Sequence, residues 1–183
     1  MSDGVPKSVA RSKVWPMTFS SVAEAVFTSQ APWAGERPRV LVVCCSDGRL
    51  QEATDEFLHG HLGIRGYDRV YAAGGPGALA PGGYEFLRAA QYRDDLAFLV
   101  RAHRVEELIL IFHGAAPDGP AEATCAHYGR VMPGAGPDAV REQQGRDLED
   151  VRVSLGSLGL AARVRAFRAE VRAHRQIQFV PMG

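Results

Sequence analysis

The sequence predicts an α/β fold: a single domain with a central, mostly parallel β-sheet flanked by helices. Three observations predict it. Short, continuous apolar runs recur, at Val40–Val43, at Val70–Ala73 and at Leu108–Phe112, and runs of this kind read as strands buried on both faces. Stretches of roughly helical period separate them, as crossover connections between parallel strands require. Two of the runs lead straight into side chains that do chemistry, Cys45 after the first and His113 after the third. In open α/β sheets that is the end of the strands where ligands bind.

Taken in order, residues 1–37 begin polar and carry Pro6, Pro16 and Pro32. They read as an N-terminal arm with one short helix, opened by Ser20 or Ser21 as cap and Glu24 behind it. Residues 38–183 are expected to form one α/β domain. After the first strand, Leu50–Leu62 has loosely helical spacing, and Gly60, Gly63 and Gly66 punctuate a loop. The second strand, Asp68–Ala73, stops at Gly74-Gly75-Pro76-Gly77. That spacing is neither the dinucleotide fingerprint nor a P-loop. Small residues there predict a backbone passing close to a neighbouring strand. From Gly83 to His103 the residues Phe86, Leu87, Ala90, Leu96, Leu99 and Val100 describe an amphipathic helix. Glu106–Phe112 is the third strand, with His113 at its end, and Gly114–Thr124 reads as a loop. Asp138–Leu155 is a polar helix. Val164–Val171 and Ile177–Val180 alternate as two half-exposed strands at the sheet margin, the arginines of Arg163–Arg175 forming a solvated face.

Composition narrows the function. Lys plus Arg equals Asp plus Glu at 21 each, so no basic excess argues for nucleic acid. Three cysteines make no disulfide framework and suit reduced thiols in a cytoplasmic protein. The first residues lack a signal-peptide pattern, and no apolar run has the length of a membrane span. A soluble chain without membrane or nucleic-acid partners is expected.

Cys45, His113 and Cys125 are the candidate metal ligands. One imidazole and two thiolates leave a tetrahedral Zn2+ one open position, which is the pattern of catalytic sites. Cys44 reads as a small core residue. A cysteine-phosphatase reading fails on spacing, because such sites place five residues between Cys and Arg. Here four separate Cys44, and three separate Cys45, from Arg49.

Cys45-Ser46-Asp47-Gly48-Arg49 resembles the Cys-x-Asp-x-Arg motif of the β-class carbonic anhydrases, and the strand ending at His113, with a Cys beyond it, resembles their second motif. The order of elements over residues 38–181 is similar as well. One departure stands out. The family spaces its second pair His-x-x-Cys, whereas eleven residues separate His113 from Cys125. Gly114–Thr124 is therefore read as an insertion that loops out and returns the thiol, which closure entropy permits. His127 or Asp118 in place of Cys125, or a broken site, are the alternatives.

The resemblance implies an enzyme that interconverts carbon dioxide and bicarbonate through a zinc-bound hydroxide. Asp47 and Arg49 would be its catalytic residues, Asp47 accepting a hydrogen bond from the hydroxide and Arg49 holding Asp47. A related zinc hydrolase of carbonyl sulfide or carbon disulfide, and a metal-binding protein without turnover, are the other readings. A homodimer is expected, from the resemblance and because Trp15, Phe19, Val26, Phe27 and Trp33 of the arm need a surface to cover.

Overall fold

The computed structural model describes residues 26–80 and 86–183. The chain forms two compact units, Met1–Gly35 and Glu36–Gly183. Within the first, residues 26–35 are described and contain neither helix nor strand. The helix expected from Ser20 falls mostly on residues outside the described ones, as do positions 83–85 of the expected Gly83–His103 helix.

The five strands of the second unit, β1 (Val40–Cys45), β2 (Asp68–Ala72), β3 (Glu107–Ala115), β4 (Arg163–Val171) and β5 (Ile177–Met182), make one sheet in the order β2-β1-β3-β4-β5. The first four are parallel and β5 runs antiparallel to β4. The predicted mostly parallel sheet is what the chain builds. β1 shows why its run is continuously apolar: both of its faces are covered. Leu41 and Val43 pack with Leu96 and Val100 of α2 (Phe86–His103) and with Leu148 and Val151 of α4 (Pro137–Ser157). Val42 and Cys44 face the other way, onto Leu50, Leu58 and Tyr128. That second layer comes from Leu50 just ahead of α1 (Gln51–Glu56), the π-turn Phe57–His61 that continues this helix, and α3 (Ala126–Val131).

Three expectations are corrected. β3 does not stop at Phe112; it runs on to Ala115, so His113 lies inside the strand, opposite Ala169. Gly114 and Ala115 are small enough to continue the ladder against Glu170 and Val171. Second, β4 is an interior strand, and its arginines do not all form a solvated face. Arg168 is 1% exposed, paired with Glu170 two residues on at 2.8 Å. Third, α2 buries Ala89, Leu96, Ala97 and Val100, while Phe86, Leu87 and Phe98 are exposed. The small alanines, rather than Phe86 and Leu87, let this helix approach the sheet.

The glycine turn after β2 does what its composition predicts. Gly75 has φ +60°, and a Cβ there would stand 3.0 Å from the amide nitrogen of Cys45 and 3.1 Å from the carbonyl of Ile111. Only a residue without a side chain lets this turn lie against the ends of β1 and β3.

Candidate metal centre

β1 delivers the first donor. Cys45 is its last residue, paired with Ala72, and the chain then turns through Asp47 into the short 3-10 turn Gly48–Leu50. β3, beside β1 in the sheet, delivers His113, and the start of α3 delivers Cys125 as the residue before its first turn. The structure brings all three together. Their donor atoms lie within 4.8 Å of one another, all three residues are buried, and this is the group of donors able to hold a metal that occurs among the described residues. Asp118 instead pairs with Arg172 at 3.2 Å, and the His127 ring lies against Tyr128 and Gly74. Of the three alternatives for the last donor, the geometry brings in Cys125.

The distances suit a tetrahedral ion. Two thiolates on one zinc, each about 2.3 Å from it, sit about 3.8 Å apart; the Sγ atoms of Cys45 and Cys125 are 3.9 Å apart. No disulfide joins them. Nε2 of His113 is buried and meets no partner of hydrogen-bond geometry, a condition that otherwise costs free energy.

Electrostatics separates the two neighbouring thiols of β1. Burial, and then the charge of Cys45, push the Cys44 thiol up to about 12. Cys45 is drawn well below the usual thiol range, first through the hydrogen bond from Cys125, and then, against burial, through His113 and the Gly74 N–H. Cys125 is correspondingly pushed up, by its hydrogen bond to Cys45 and by burial. The two sulfurs thus share a proton unequally, and a cation between them would favour the loss of both protons.

Asp47 and Arg49 stand beside this group. Arg49 grips the carboxylate with both arms of its fork: Nε donates to Oδ1 at 2.9 Å and Nη2 to Oδ2 at 2.6 Å. That grip, with the Arg49 main-chain N–H, holds the Asp47 carboxyl down at about 2. Asp47 therefore only accepts hydrogen bonds at neutral pH. It also caps the 3-10 turn, accepting from the Arg49 amide at 3.1 Å, so a capping role and a paired role coexist in one side chain.

A cavity of about 160 Å³ opens here, lined by Asp47, Arg49, His113 and the apolar Leu50, Ala123 and Val171. Part of its wall is the insertion. That segment leaves β3 at Ala116, whose N–H donates to Val171 at 3.0 Å, and forms a 3-10 turn at Ala121–Ala123. The carbonyl of Glu122 accepts the remaining arm of Arg49, Nη1, at 3.1 Å, while the Glu122 carboxylate pairs with Arg175 at 3.1 Å.

Sequence reasoning missed the polar residues behind the donors. Gln144 and Asp147 are buried on α4, and Arg168 and Glu170 on β4. Tyr128 donates to Asp147 at 2.5 Å, and burial together with Asp147 keeps its phenol protonated. The available signal was Gln144 and Asp147 among Val140, Leu148 and Val151, which places two polar groups on the apolar stripe of a helix.

No family model matches the sequence, and no curated protein matches it. Solved structures do resemble the chain. A β-carbonic anhydrase of the fungal pathogen Aspergillus fumigatus is 16% identical, with 80% of this chain and 76% of that one covered, at a TM-score of 0.43. A β-carbonic anhydrase isoform of the protozoan Trichomonas vaginalis is 14% identical over 87% and 89% of the chains, at 0.44. One of the tetrameric β-carbonic anhydrases of the ascomycete Sordaria macrospora is 13% identical over 80% and 82%, at 0.41.

Proposed function

We propose that this protein is a zinc-dependent, carbonic anhydrase-like enzyme that interconverts carbon dioxide and bicarbonate. The observation that carries the reading is the convergence of Cys45, His113 and Cys125, with sulfurs 3.9 Å apart and an unpartnered buried imidazole nitrogen, beside a forked Asp47–Arg49 pair. Zn2+ held by these three residues would supply a nucleophile at neutral pH by acidifying a coordinated water. The remaining work falls to the chain. Arg49 keeps the Asp47 carboxylate ionised and oriented, so Asp47 can only accept a hydrogen bond and thereby aims the nucleophile's lone pair. Leu50, Ala123 and Val171 give a small uncharged substrate an apolar wall. The paired charges of Asp47 with Arg49, and of Glu122 with Arg175, leave no free cation among them to hold the bicarbonate product.

Metal analysis of the purified protein and a carbon dioxide hydration assay, run on wild type and Asp47→Ala, test this together. Wild type should hold about one zinc per chain and hydrate carbon dioxide. Asp47→Ala should keep the zinc and lose about 10²-fold or more of the rate, the scale of losing a preorganised partner to the reacting atoms. A wild-type protein that binds no metal sinks the reading.

A second reading has its own support. The insertion supplies Pro120, Glu122 and Ala123 to the cavity lining, so the substrate space is shaped by a segment that the short His-x-x-Cys spacing would not provide. Hydrolysis of carbonyl sulfide or carbon disulfide on the same donors is that reading, and the same preparations assayed with those substrates separate the two. Zinc bound with no turnover of any of the three would leave a metal-binding protein. Thiolate ligands suit a reducing compartment such as the cytoplasm. We further propose that the protein is a homodimer, supported by the exposed Phe86, Leu87 and Phe98 of α2.

A further inference from the structure

The eleven residues between His113 and Cys125 pose a geometric problem. Twelve peptide units, fully extended, could span about 40 Å, so the covalent path from His113 to Cys125 does not by itself hold the two donors at bonding distance of one ion. Something outside the insertion has to.

α4 touches the chain on both sides of it. Gln144, fully buried, donates from Nε2 to the carbonyl oxygen of His113 itself at 2.8 Å. Its Oε1 accepts from Nε of Arg168 at 2.7 Å, so the amide's orientation is fixed. Arg168 is anchored in turn: Nη2 donates to Ala115 at 3.0 Å and Nη1 to Glu170 at 2.8 Å, and Glu170 also meets Arg141 of α4 at 2.5 Å. Three residues along the same helix, Asp147 accepts from the Tyr128 hydroxyl at 2.5 Å and from Gln143 at 2.7 Å. Tyr128 follows Cys125 by three residues, within α3. A Cβ on Gly77 would fall 2.2 Å from this hydroxyl and 3.3 Å from Asp147 Oδ2, so the absence of a side chain there leaves room for the hydrogen bond. Gln144 and Asp147 are at i and i+3, neighbours on one face of a rigid rod.

We propose that Gln144 and Asp147 are positioning residues for the metal centre: one helix face fixes the separation of His113 from Cys125 by holding the strand before the insertion and the helix after it. The inference rests on the metal-binding reading above. It assigns a task to buried polar groups that an apolar helix face would not need, and outer partners of this kind commonly change metal affinity about 10–100-fold when removed.

The test is zinc affinity, measured by competition with a chromophoric chelator, with the visible spectrum of the cobalt(II)-substituted protein as a report on ligand geometry. Tyr128→Phe keeps the ring and removes the strut on the Cys125 side. Gln144→Glu keeps an acceptor for Arg168 and removes the donor to His113. Each should weaken zinc binding about 10–100-fold and shift the cobalt bands. Asp147→Asn, which still offers Tyr128 an acceptor, should bind within about threefold of wild type. Leu148→Ala, a core truncation on the same helix that removes neither hydrogen bond, should lower the melting temperature and leave affinity of the folded protein unchanged. Tyr128→Phe and Gln144→Glu binding zinc as tightly as wild type would overturn the inference, and so would a loss in Leu148→Ala equal to theirs. Should Gln144→Glu fail to fold, the Tyr128→Phe comparison decides alone. A wild-type protein without zinc affinity would instead remove the metal-binding reading, and the inference with it.

Discussion

Cys44 and Cys45 are adjacent in one strand and have opposite chemistry. Both pack in the layer with Leu50 and Leu58, but burial pushes the Cys44 thiol up, whereas the Cys45 sulfur lies 3.9 Å from that of Cys125, which with His113 draws it down. Cys45→Ser and Cys125→Ser should therefore each strip most of the zinc, and Cys44→Ser should retain it, measured as metal per chain after gel filtration. Zinc loss from Cys44→Ser equal to the other two would mean the wrong thiol has been assigned. At this scale the sequence was informative where spacing is short. Cys45, Asp47 and Arg49 alternate, so their convergence is visible without any tertiary information. Arg168 was not legible, since an arginine in an alternating Arg-rich strand looks like a solvated one until the Gln144 and Glu170 that surround it are known.

Among the elements, the insertion is the informative case. It is a loop by composition, yet its first two residues extend β3 and its next ones are fastened to the end of β4. A Cβ added to Gly119 would fall 2.0 Å from the carbonyl of Val171 and 2.9 Å from the amide of Ala116, and backbone cannot give way as a flexible side chain can. Gly119→Ala should cost about 1–3 kcal/mol and speed hydrogen exchange at the Ala116 amide, which is bonded to that same carbonyl. Unchanged protection there would show that the segment does not depend on this close approach. The first three strands were readable from their continuous apolar runs, and α2 and α4 as helices from their length, but not the buried face of α2, nor α3. The end of β3 was not: Gly114 and Ala115 carry no strand signal, and only the partner strand recruits them.

For the whole molecule, the sheet order was half legible. The interior places of β1 and β3 follow from their buried runs, whereas β2, expected to be buried on both faces, is an edge strand with Arg69 and Tyr71 exposed. The interior position of β4 does not follow, because a half-polar strand reads as an edge until α4 is known to supply partners for its charges. The exposed apolar side chains of α2 give the assembly prediction. Light scattering at tens of micromolar should report about twice the chain mass, and the melting temperature should rise with protein concentration, as it does for obligate dimers. A monomer across that range would count against the dimer.

The contact between Arg49 and the Glu122 carbonyl has a consequence for time rather than for place. The same guanidinium that fixes Asp47 also latches the wall of the cavity, so the wall cannot swing away without Arg49 letting go. Opening of the cavity past residues 121–124 breaks the Nη1 bond of the guanidinium whose Nε and Nη2 hold Asp47, and is expected to loosen that pair at the same rate. Relaxation dispersion should then give a common exchange rate for the Arg49 Nε–H and the amides of residues 121–124, within the microsecond-to-millisecond range of loop opening. Two unrelated rates would show that the latch slips, and that the wall opens while the pair stays closed.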